Sequence, residues 1–161
     1  MKRRVLPSLN KMTELRQAGP ADAPAVRALT REAYRKWVAV TGREPLPMRV
    51  DYDKAVLEHR FDLLYEDDAL AALIETSVEP DHLLIVNVAV APAFQGRGLG
   101  KHLLMHAERL AVAGGFGEIR LYTNSLMAEN IALYKRLGYR VDREQPFGTS
   151  VQVHMSKAIQ A

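Results

Sequence analysis

One stretch of the chain, residues 83–113, constrains the fold more than any other. It opens with the apolar run Leu83–Val90, which is too rich in β-branched residues and too short for a helix. Pro92 has no amide hydrogen with which to continue a strand. Glycines then alternate with other residues over positions 96–100, and apolar residues recur at helical spacing over positions 99–113. The stretch therefore predicts a buried strand, a tight glycine-rich turn and an amphipathic helix.

The glycine-rich turn has the physical properties of an anion site. The first turn of a helix has free N–H groups and carries the positive end of the helix dipole. A loop of small residues that leads into this turn can wrap a pyrophosphate, because no Cβ atom holds the backbone away. Arg97 and Lys101 add full positive charges beside it. The alternative is a plain crossover in which the glycines only shape the turn.

Two common phosphate motifs do not fit the turn. A P-loop needs G-x-x-x-x-G-K-[S/T], but Gln95 stands where the first glycine belongs and His102 where the hydroxyl belongs. A dinucleotide-binding loop needs G-x-G-x-x-G, and counting from Gly96 puts Lys101 at the last glycine position. The pattern that remains is Q-x-x-G-x-G over residues 95–100.

This pattern, preceded by V-A-V-A-P, resembles the fourth strand and the pyrophosphate-binding motif of the GNAT superfamily of acyl-CoA N-acyltransferases. A second stretch, L-Y-K-R-L-G-Y at residues 133–139, is similar to what GNAT proteins show after the fifth strand. The resemblance covers about residues 14–156, although only these two stretches are specific. It implies an α/β (α+β) GNAT fold: a single mixed, mostly antiparallel twisted sheet, flanked by helices and splayed between strands four and five.

The resemblance also implies an activity. It predicts an N-acetyltransferase that moves acetyl from acetyl-CoA to an amine of a small molecule or peptide, by direct attack in a ternary complex and with no metal. The chain has no cysteine, which agrees with a reaction that has no acyl-cysteine intermediate. One alternative is an acyl-CoA-binding regulatory or structural module without turnover. Another is a weak nucleic-acid binder that uses its basic surface.

The resemblance assigns roles to residues of both stretches. The fourth strand would pair with the pantetheine arm, the glycine loop would bind the pyrophosphate, and one face of the following helix would meet the thioester. Tyr134 would donate a proton or a hydrogen bond to the leaving thiolate; with an ordinary pKa of about 10 for a tyrosine and about 8.5 for a thiol, the proton transfer is plausible but not strongly downhill. Where family members often carry asparagine, this chain has Met127, so Asn130 or Asn124 is expected to substitute. The implied cofactor contacts are Val88, Ala89, Val90, Gln95, Gly96, Arg97, Gly98, Leu99, Gly100, Lys101, Asn124, Met127, Asn130 and Tyr134.

The general base is not evident from the sequence. An amine with a lysine-like pKa of about 10.4 is mostly protonated at pH 7 and needs a base before it can attack. The family often places a glutamate on or just before the fourth strand, where this chain has Asn87 and no carboxylate. A bulge within residues 86–90 is expected to present N–H groups to the oxyanion. We expect the nearby polar residues to be solvated surface groups: Glu75, Glu79, Asp81 and His82.

Histidines at positions 102 and 106 have the i, i+4 spacing of helical metal ligands. They lack the glutamate of H-E-x-x-H and an evident third ligand, so we interpret His102 and His106 as surface residues.

The remaining elements follow the order of a GNAT fold. Residues 1–12 are expected to form a flexible tail, and residues 13–161 a single N-acetyltransferase domain. In the family pattern, two early helices and their loop line the acceptor cleft, so Trp37, Tyr52 and the loop 43–48 are candidate substrate contacts. Asn124 or Ser125 is expected to cap the helix after the fifth strand. The predicted strands are 13–18, 61–66, 70–78, 83–90, 118–123, 139–142 and 148–156, and the predicted helices are 25–40, 51–60, 99–113 and a last one that ends near 137.

Length, net charge and apolar content limit the classes of molecule that this protein is expected to bind. A chain of 161 residues is long enough for a substantial core. Its net charge of +3 suits a polyanion such as acetyl-CoA but is too small to imply nucleic acid. No apolar run reaches the length of a membrane span. We therefore expect a cytoplasmic protein with acetyl-CoA and an amine as partners, no nucleic acid and no membrane. By analogy with GNAT proteins, a homodimer is possible.

Overall fold

The computed structural model describes residues 13–160, and the tail expected at residues 1–12 lies outside them. A single sheet organises this part of the chain, with the strand order β1-β2-β3-β4-β5-β7-β6. Neighbouring strands are antiparallel except for β4 and β5, which are parallel. The strands are β1 (Thr13–Gln17), β2 (Arg60–Glu66), β3 (Ala69–Val78), β4 (Leu83–Val90), β5 (Glu118–Asn124), β6 (Arg140–Phe147) and β7 (Ser150–Ala158).

The helices are α1 (Ala23–Tyr34), α2 (Val38–Thr41), α3 (Tyr52–Glu58), α4 (Leu99–Ala113) and α5 (Ala128–Arg136). The single helix expected over residues 25–40 is interrupted by a 3-10 turn at Arg35–Trp37. The expected cap of α5 by Asn124 or Ser125 is wrong. Asn124 is the last residue of β5, where it pairs with Gln152 of β7, so the helix begins later and Met127 takes the N-cap position.

Each face of the sheet is covered by helices. Helix α4 packs on one face through a buried stripe that includes Leu103, Leu104 and Ala107. Helices α1 and α3 pack on the other face, where Val26 and Tyr52 are buried. Alternation along β3 sends Ala72 and Ile74 to the α4 face and Leu73 to the α1 face. Residues 71–76 of β3 are therefore buried on both faces, the polar ones included.

The sheet opens between β4 and β5, as the resemblance implies. Their pairing covers only Leu83–Ile85 against Ile119–Leu121. A bulge begins at this point: Ile85 lies opposite Thr76 and Asn87 opposite Glu75, so Val86 has no cross-strand partner on β3. The second half of β4 is thus held by β3 alone on one edge and faces a gap on the other.

In the second half of β4, the backbone N–H and C=O groups of every other residue point into the gap between β4 and β5. The N–H of Ala91 donates to the carbonyl of Ala71 at 2.8 Å, which fixes the phase of the antiparallel ladder between β3 and β4. Residues directly opposite each other alternate between hydrogen-bonded and non-hydrogen-bonded pairs. The N–H and C=O groups of Val88 and Val90 therefore point away from β3 into the gap, whereas those of Ala89 point toward β3.

Within residues 13–160, no helix is both long enough and apolar enough to cross a membrane.

Candidate active site

A groove of about 360 Å³ lies between the second half of β4, the start of α4 and helix α5. The glycine loop lines one side of it, and side chains of α5 line the other. Most residues expected to bind the cofactor meet here: Val88, Ala89, Val90, Gln95, Gly96, Gly98, Leu99, Gly100, Lys101, Asn130 and Tyr134. We call this the donor groove.

The glycine loop presents free amides to the donor groove. Gly96 and Gly98 have φ angles of +80° and +78°, a left-handed conformation that other residues adopt at a cost. Gly98 is the N-cap of α4, and no side chain caps this helix end. The first helical hydrogen bond runs from His102 N–H to the Gly98 carbonyl at 3.0 Å, so the three preceding amides have no partner within the helix. This is the geometry of an anion site at a helix N-terminus.

Arg97 has a different partner from the one expected. Its guanidinium lies 3.0 Å from Oε1 of Glu66 on β2 and 5.2 Å from the centre of the Phe94 ring. It is not among the residues that line the donor groove. Since Glu66 is buried and Arg97 is half exposed, the pair ties the glycine loop to the sheet. Of the two cations expected at the phosphates, only Lys101 lines the groove.

Two side chains hydrogen-bond the carbonyls of β4 that face the gap. The Tyr34 hydroxyl donates to Oδ1 of Asn87 at 2.8 Å and lies 3.3 Å from the carbonyl oxygen of Val88. Nε2 of Gln95 donates to the carbonyl of Val90 at 3.0 Å, and Lys36 donates to Oε1 of Gln95 at 3.2 Å. Gln95 thus satisfies the Val90 carbonyl, and the Val88 carbonyl lies within reach of the Tyr34 hydroxyl, whereas the amides of Val88 and Val90 remain directed at the gap.

Tyr134 lies on α5 with its ring edge toward Tyr139, the ring centres being 6.0 Å apart. Burial raises the pKa of Tyr134 to about 12. A hydroxyl with this pKa keeps its proton throughout the neutral range. It is about three and a half pKa units above a thiol, so it donates a hydrogen bond to a thiolate far more readily than it gives up the whole proton.

A second cavity, of about 170 Å³, lies on the other side of β4. We call it the acceptor cavity. The loop after α2 lines it with Pro45, Leu46 and Pro47, and Phe147 of β6 contributes an apolar wall. Tyr52 also lines it and donates its hydroxyl to the Pro47 carbonyl at 2.7 Å.

Three residues are placed differently from the sequence-based expectation. Asn124 and Met127, expected at the cofactor, line the acceptor cavity and not the donor groove. Trp37, expected at the acceptor, lines the donor groove. The extension of β5 to Asn124 and the late start of α5 account for the first two, because they move both side chains toward β7.

Glu75 is the residue that sequence reasoning missed. The expectation that it is a solvated surface group is wrong: it is only 3% exposed and lines the acceptor cavity. Burial raises its pKa, and a hydrogen bond with His59 partly offsets this effect. Oε2 of Glu75 lies 2.7 Å from Nδ1 of His59. The sequence did carry a sign of this burial: Glu75 stands two residues after Leu73, so both side chains lie on the same face of β3, which helices cover.

Tyrosines surround the Glu75 carboxylate. The pKa values of Tyr34, Tyr52 and Tyr122 are all raised, mainly by burial and in part by the charge of Glu75. The three hydroxyls therefore stay protonated at neutral pH. Among the described residues that line the acceptor cavity, Glu75 is the only charged one.

Tyr34 lines both the donor groove and the acceptor cavity. The two spaces therefore meet at the bulged part of β4, beside Asn87 and Val88. A group on the donor side and a nucleophile on the acceptor side would come together at this point.

The i, i+4 histidines lie in different surroundings. His102 is exposed, but His106 is mostly buried, with Nε2 3.4 Å from Oδ2 of the buried Asp62, so its expected place on the surface is wrong. Burial lowers the pKa of His106. Over residues 13–160 no group of three or more His, Cys, Asp or Glu side chains is arranged to hold a metal ion.

Comparison with known proteins agrees with this geometry. The model of the acetyltransferase (GNAT) family matches residues 24–139, which is most of the chain. The chain belongs to the GNAT acetyltransferase family, as the resemblance indicated.

Individual relatives match over shorter stretches. The [ribosomal protein bS18]-alanine N-acetyltransferase of Salmonella typhimurium is 40% identical over 76 residues, which is 47% of this chain and 51% of that protein. The streptothricin acetyltransferase of Streptomyces lavendulae is 32% identical over 68 residues, 42% of this chain and 36% of that protein. The chain thus spans about half the length, or less, of these curated relatives.

Among solved structures, the PaiA N-acetyltransferase of Thermoplasma acidophilum in complex with coenzyme A has a TM-score of 0.78. It is 20% identical in sequence, and the match covers 91% of this chain and 99% of that one. At this identity the likeness establishes the fold: a mixed, mostly antiparallel sheet with parallel, splayed β4 and β5.

Proposed function

We propose that this protein is an N-acetyltransferase that transfers acetyl from acetyl-CoA to an amine of a small molecule or peptide, by direct attack in a ternary complex. The observation that carries the proposal is the meeting of the two spaces at Tyr34. A donor groove with free amides at one end adjoins, at Tyr34, a cavity whose described lining has one charge, the buried carboxylate of Glu75.

The donor groove suits an acyl-CoA. The three amides at the start of α4 and the ammonium of Lys101 match a pyrophosphate. The amides of Val88 and Val90 point into the gap, where an extended arm with amide groups can pair with them as a neighbouring strand would. Amides that point into the gap can also donate hydrogen bonds to the oxyanion that forms on the thioester carbon. Tyr134 is the hydrogen-bond donor that we assign to the leaving thiolate.

Glu75 is the base that we assign to the acceptor. A carboxylate whose pKa is raised is a stronger base than an exposed glutamate, which favours proton removal from an ammonium group. Only about one in a few thousand lysine-like amines is unprotonated at pH 7. A negative charge in a cavity with apolar walls also attracts the ammonium form in the first place. The missing base made a coenzyme-binding module without turnover more credible, and the buried Glu75 is a candidate for that base.

The cavity favours an amine that has no carboxylate beside it. A free amino acid would bring its α-carboxylate close to Glu75, and no described cation lines the cavity to balance it. Peptide N-termini and amine-bearing small molecules without a carboxylate beside the amine meet this requirement. The names of the two relatives give an alanine of ribosomal protein bS18 and streptothricin as what those proteins act on.

The test is thiol release from acetyl-CoA with paired acceptors. Alaninamide and an alanyl peptide should be acetylated faster than alanine, and mass spectrometry should locate the acetyl group on nitrogen. Glu75→Gln should lower kcat by about 10²–10⁴-fold, the usual contribution of a general base. Glu79→Gln is the matched control, since Glu79 lies in the turn after β3 and bonds Ser77 outside both spaces. Binding of acetyl-CoA without thiol release over a broad amine panel would contradict the proposal.

A further inference from the structure

Glu75 is connected to a second side chain that lies outside the acceptor cavity. One of its oxygens, Oε2, is 2.7 Å from Nδ1 of His59, and no described donor bonds the other oxygen, Oε1. His59 follows α3 and precedes β2, and its side chain is 32% exposed, against 3% for Glu75. The hydrogen bond thus joins a buried carboxylate to an imidazole in contact with solvent.

The imidazole opens onto a different space from the carboxylate. His59 lines a hollow of about 300 Å³ together with Arg60, Ser77 and Phe116. Glu75 is absent from the lining of this hollow, and His59 is absent from the lining of the acceptor cavity. The pair therefore bridges two separate spaces, and the shortest described connection between them is a single hydrogen bond.

We propose that His59 carries the acceptor's proton from Glu75 to the solvent on the far side of the acceptor cavity. The inference rests on the proposed function, because it needs Glu75 to act as the base. A bound amine occupies the cavity in front of Oε1, and a bound acyl-CoA fills the groove beyond Tyr34. The hydrogen bond between Oε2 and the imidazole gives the proton that Glu75 removes a way out behind the carboxylate, away from both bound substrates.

The steps balance in protons. The ammonium of the acceptor loses one proton to the carboxylate, which leaves a free amine and a neutral carboxyl group. Rotation of the carboxyl group about its last bond exchanges the two oxygens and turns the proton toward Nδ1 of His59. In the resting pair Nδ1–H donates to the carboxylate. Once the carboxyl group is protonated, the ring rotates about its Cβ–Cγ bond and exchanges protons with water in the hollow, losing the one on Nδ1 and taking one on Nε2. The imidazole then takes the carboxyl proton on Nδ1 and releases the Nε2 proton to water, which restores both the carboxylate and the Nδ1–H that donates to it. Imidazole suits this role because its two nitrogens accept and release protons near neutral pH.

No other titratable group that faces this pair replaces the imidazole. Tyr34 of α1, Tyr52 of α3 and Tyr122 of β5 surround the carboxylate, and their raised pKa values keep them protonated. Glu58 and Arg60 flank His59 in the chain and line the hollow on its solvent side. Their charges affect the electrostatic potential in the hollow where the proton is released, but neither residue is a hydrogen-bond partner of Glu75.

The experiment separates a proton relay from a hydrogen bond that only orients Glu75. In His59→Asn, the amide nitrogen takes the place of Nδ1 and keeps a donor to Oε2, but it cannot accept and release a proton. We expect kcat to fall by about tenfold or more, with the KM for the amine and the Kd for coenzyme A nearly unchanged. Added imidazole should restore turnover to His59→Asn, and should not restore it to Glu75→Gln.

The matched control is His82→Asn. His82 also has Nδ1 at hydrogen-bond distance, 2.6 Å, from a carboxylate oxygen, that of Asp81, but it lies in the turn between β3 and β4, away from both spaces. This variant should keep the wild-type rate and the wild-type pH profile. If His59→Asn does not fold, as judged by thermal unfolding and coenzyme A binding, His59→Gln takes its place.

Each outcome of these experiments either supports or overturns the proton relay through His59. A reduced kcat that imidazole rescues, with a pH profile altered in His59→Asn and unaltered in His82→Asn, supports the relay. A His59→Asn enzyme with wild-type kcat and pH profile overturns the relay alone and leaves the proposed function in place. A wild-type protein that releases no thiol with any amine overturns the proposed function and the relay together.

Discussion

Replacing Gly100 with alanine should stabilise the protein and weaken its binding of coenzyme A at the same time. Gly100 is the second residue of α4 and its φ is not positive, so alanine fits the backbone. A Cβ atom there would meet only Cγ2 of Val90, at 3.9 Å, which is ordinary contact. Glycine in a helix costs about 0.5–1 kcal/mol relative to alanine. For a chain of this size, that corresponds to a rise of about 1–4 °C in Tm.

The same methyl group would stand beside Val90 at the edge of the donor groove, where phosphate oxygens need to approach the backbone. Loss of one hydrogen bond to a charged group costs about 1.5–3 kcal/mol, so we expect the Kd for coenzyme A to rise by about 10- to 100-fold. A glutamate at this position would add bulk and negative charge and should abolish binding. Thermal unfolding without ligand and titration calorimetry with coenzyme A measure the two effects.

Substitutions of two other glycines serve as controls for Gly100→Ala. Gly117 lies outside the groove, its φ is not positive and nothing lies within 4 Å of an added Cβ, so Gly117→Ala should leave the Kd unchanged. Gly98 has a φ of +78°, so Gly98→Ala should lose about 1–2 kcal/mol of stability as well as affinity. Gly100→Ala protein that binds coenzyme A as tightly as wild type, or that unfolds at a lower temperature, would refute this account of the loop.

Four other substitutions test the site. Tyr134→Phe should lower kcat far more than it weakens coenzyme A binding, and equal turnover would end the assigned role of the hydroxyl. Burial raises the pKa of Glu75 above its ordinary value of 4.5, so the native state binds that proton more tightly than the unfolded state does. Stability is therefore lost as the pH rises from 4.5 through the raised pKa, and urea denaturation should show Glu75→Gln gaining stability relative to wild type over that rise. Arg97→Ala and Glu66→Gln should both weaken coenzyme A binding by similar factors if the pair anchors the loop, whereas tighter binding by Glu66→Gln would show that Arg97 reaches the phosphates when released.

The sequence predicted the elements whose signals are local. The strand Leu83–Val90 and the helix Leu99–Ala113 have the bounds that their periodicity and their flanking proline and glycines indicated. The opening of the sheet was also expected, but from the resemblance alone, since no local pattern shows that β4 and β5 part after Ile85.

The features that sequence reasoning missed depend on contacts between distant residues. Glu75 is buried because helices cover its face of β3, and Arg97 turns to a glutamate that lies 31 residues earlier in the chain. Asn124 faces the acceptor cavity because pairing with β7 lengthens β5 by one residue beyond the predicted end. An acidic residue or a long cation in a sequence gives no sign of which partner the tertiary structure will bring to it.

The early end of the pairing between β4 and β5 has a consequence for how such a protein can evolve. In a continuous sheet, the last five residues of β4 would form hydrogen bonds with β5. In this protein the pairing of the two strands ends before them. Mutations that bring the two strands together would raise thermal stability and, by the same displacement, remove the place where a ligand lies. Selection for heat resistance and selection for catalysis therefore oppose each other at this seam, and stabilising changes should accumulate elsewhere in the chain.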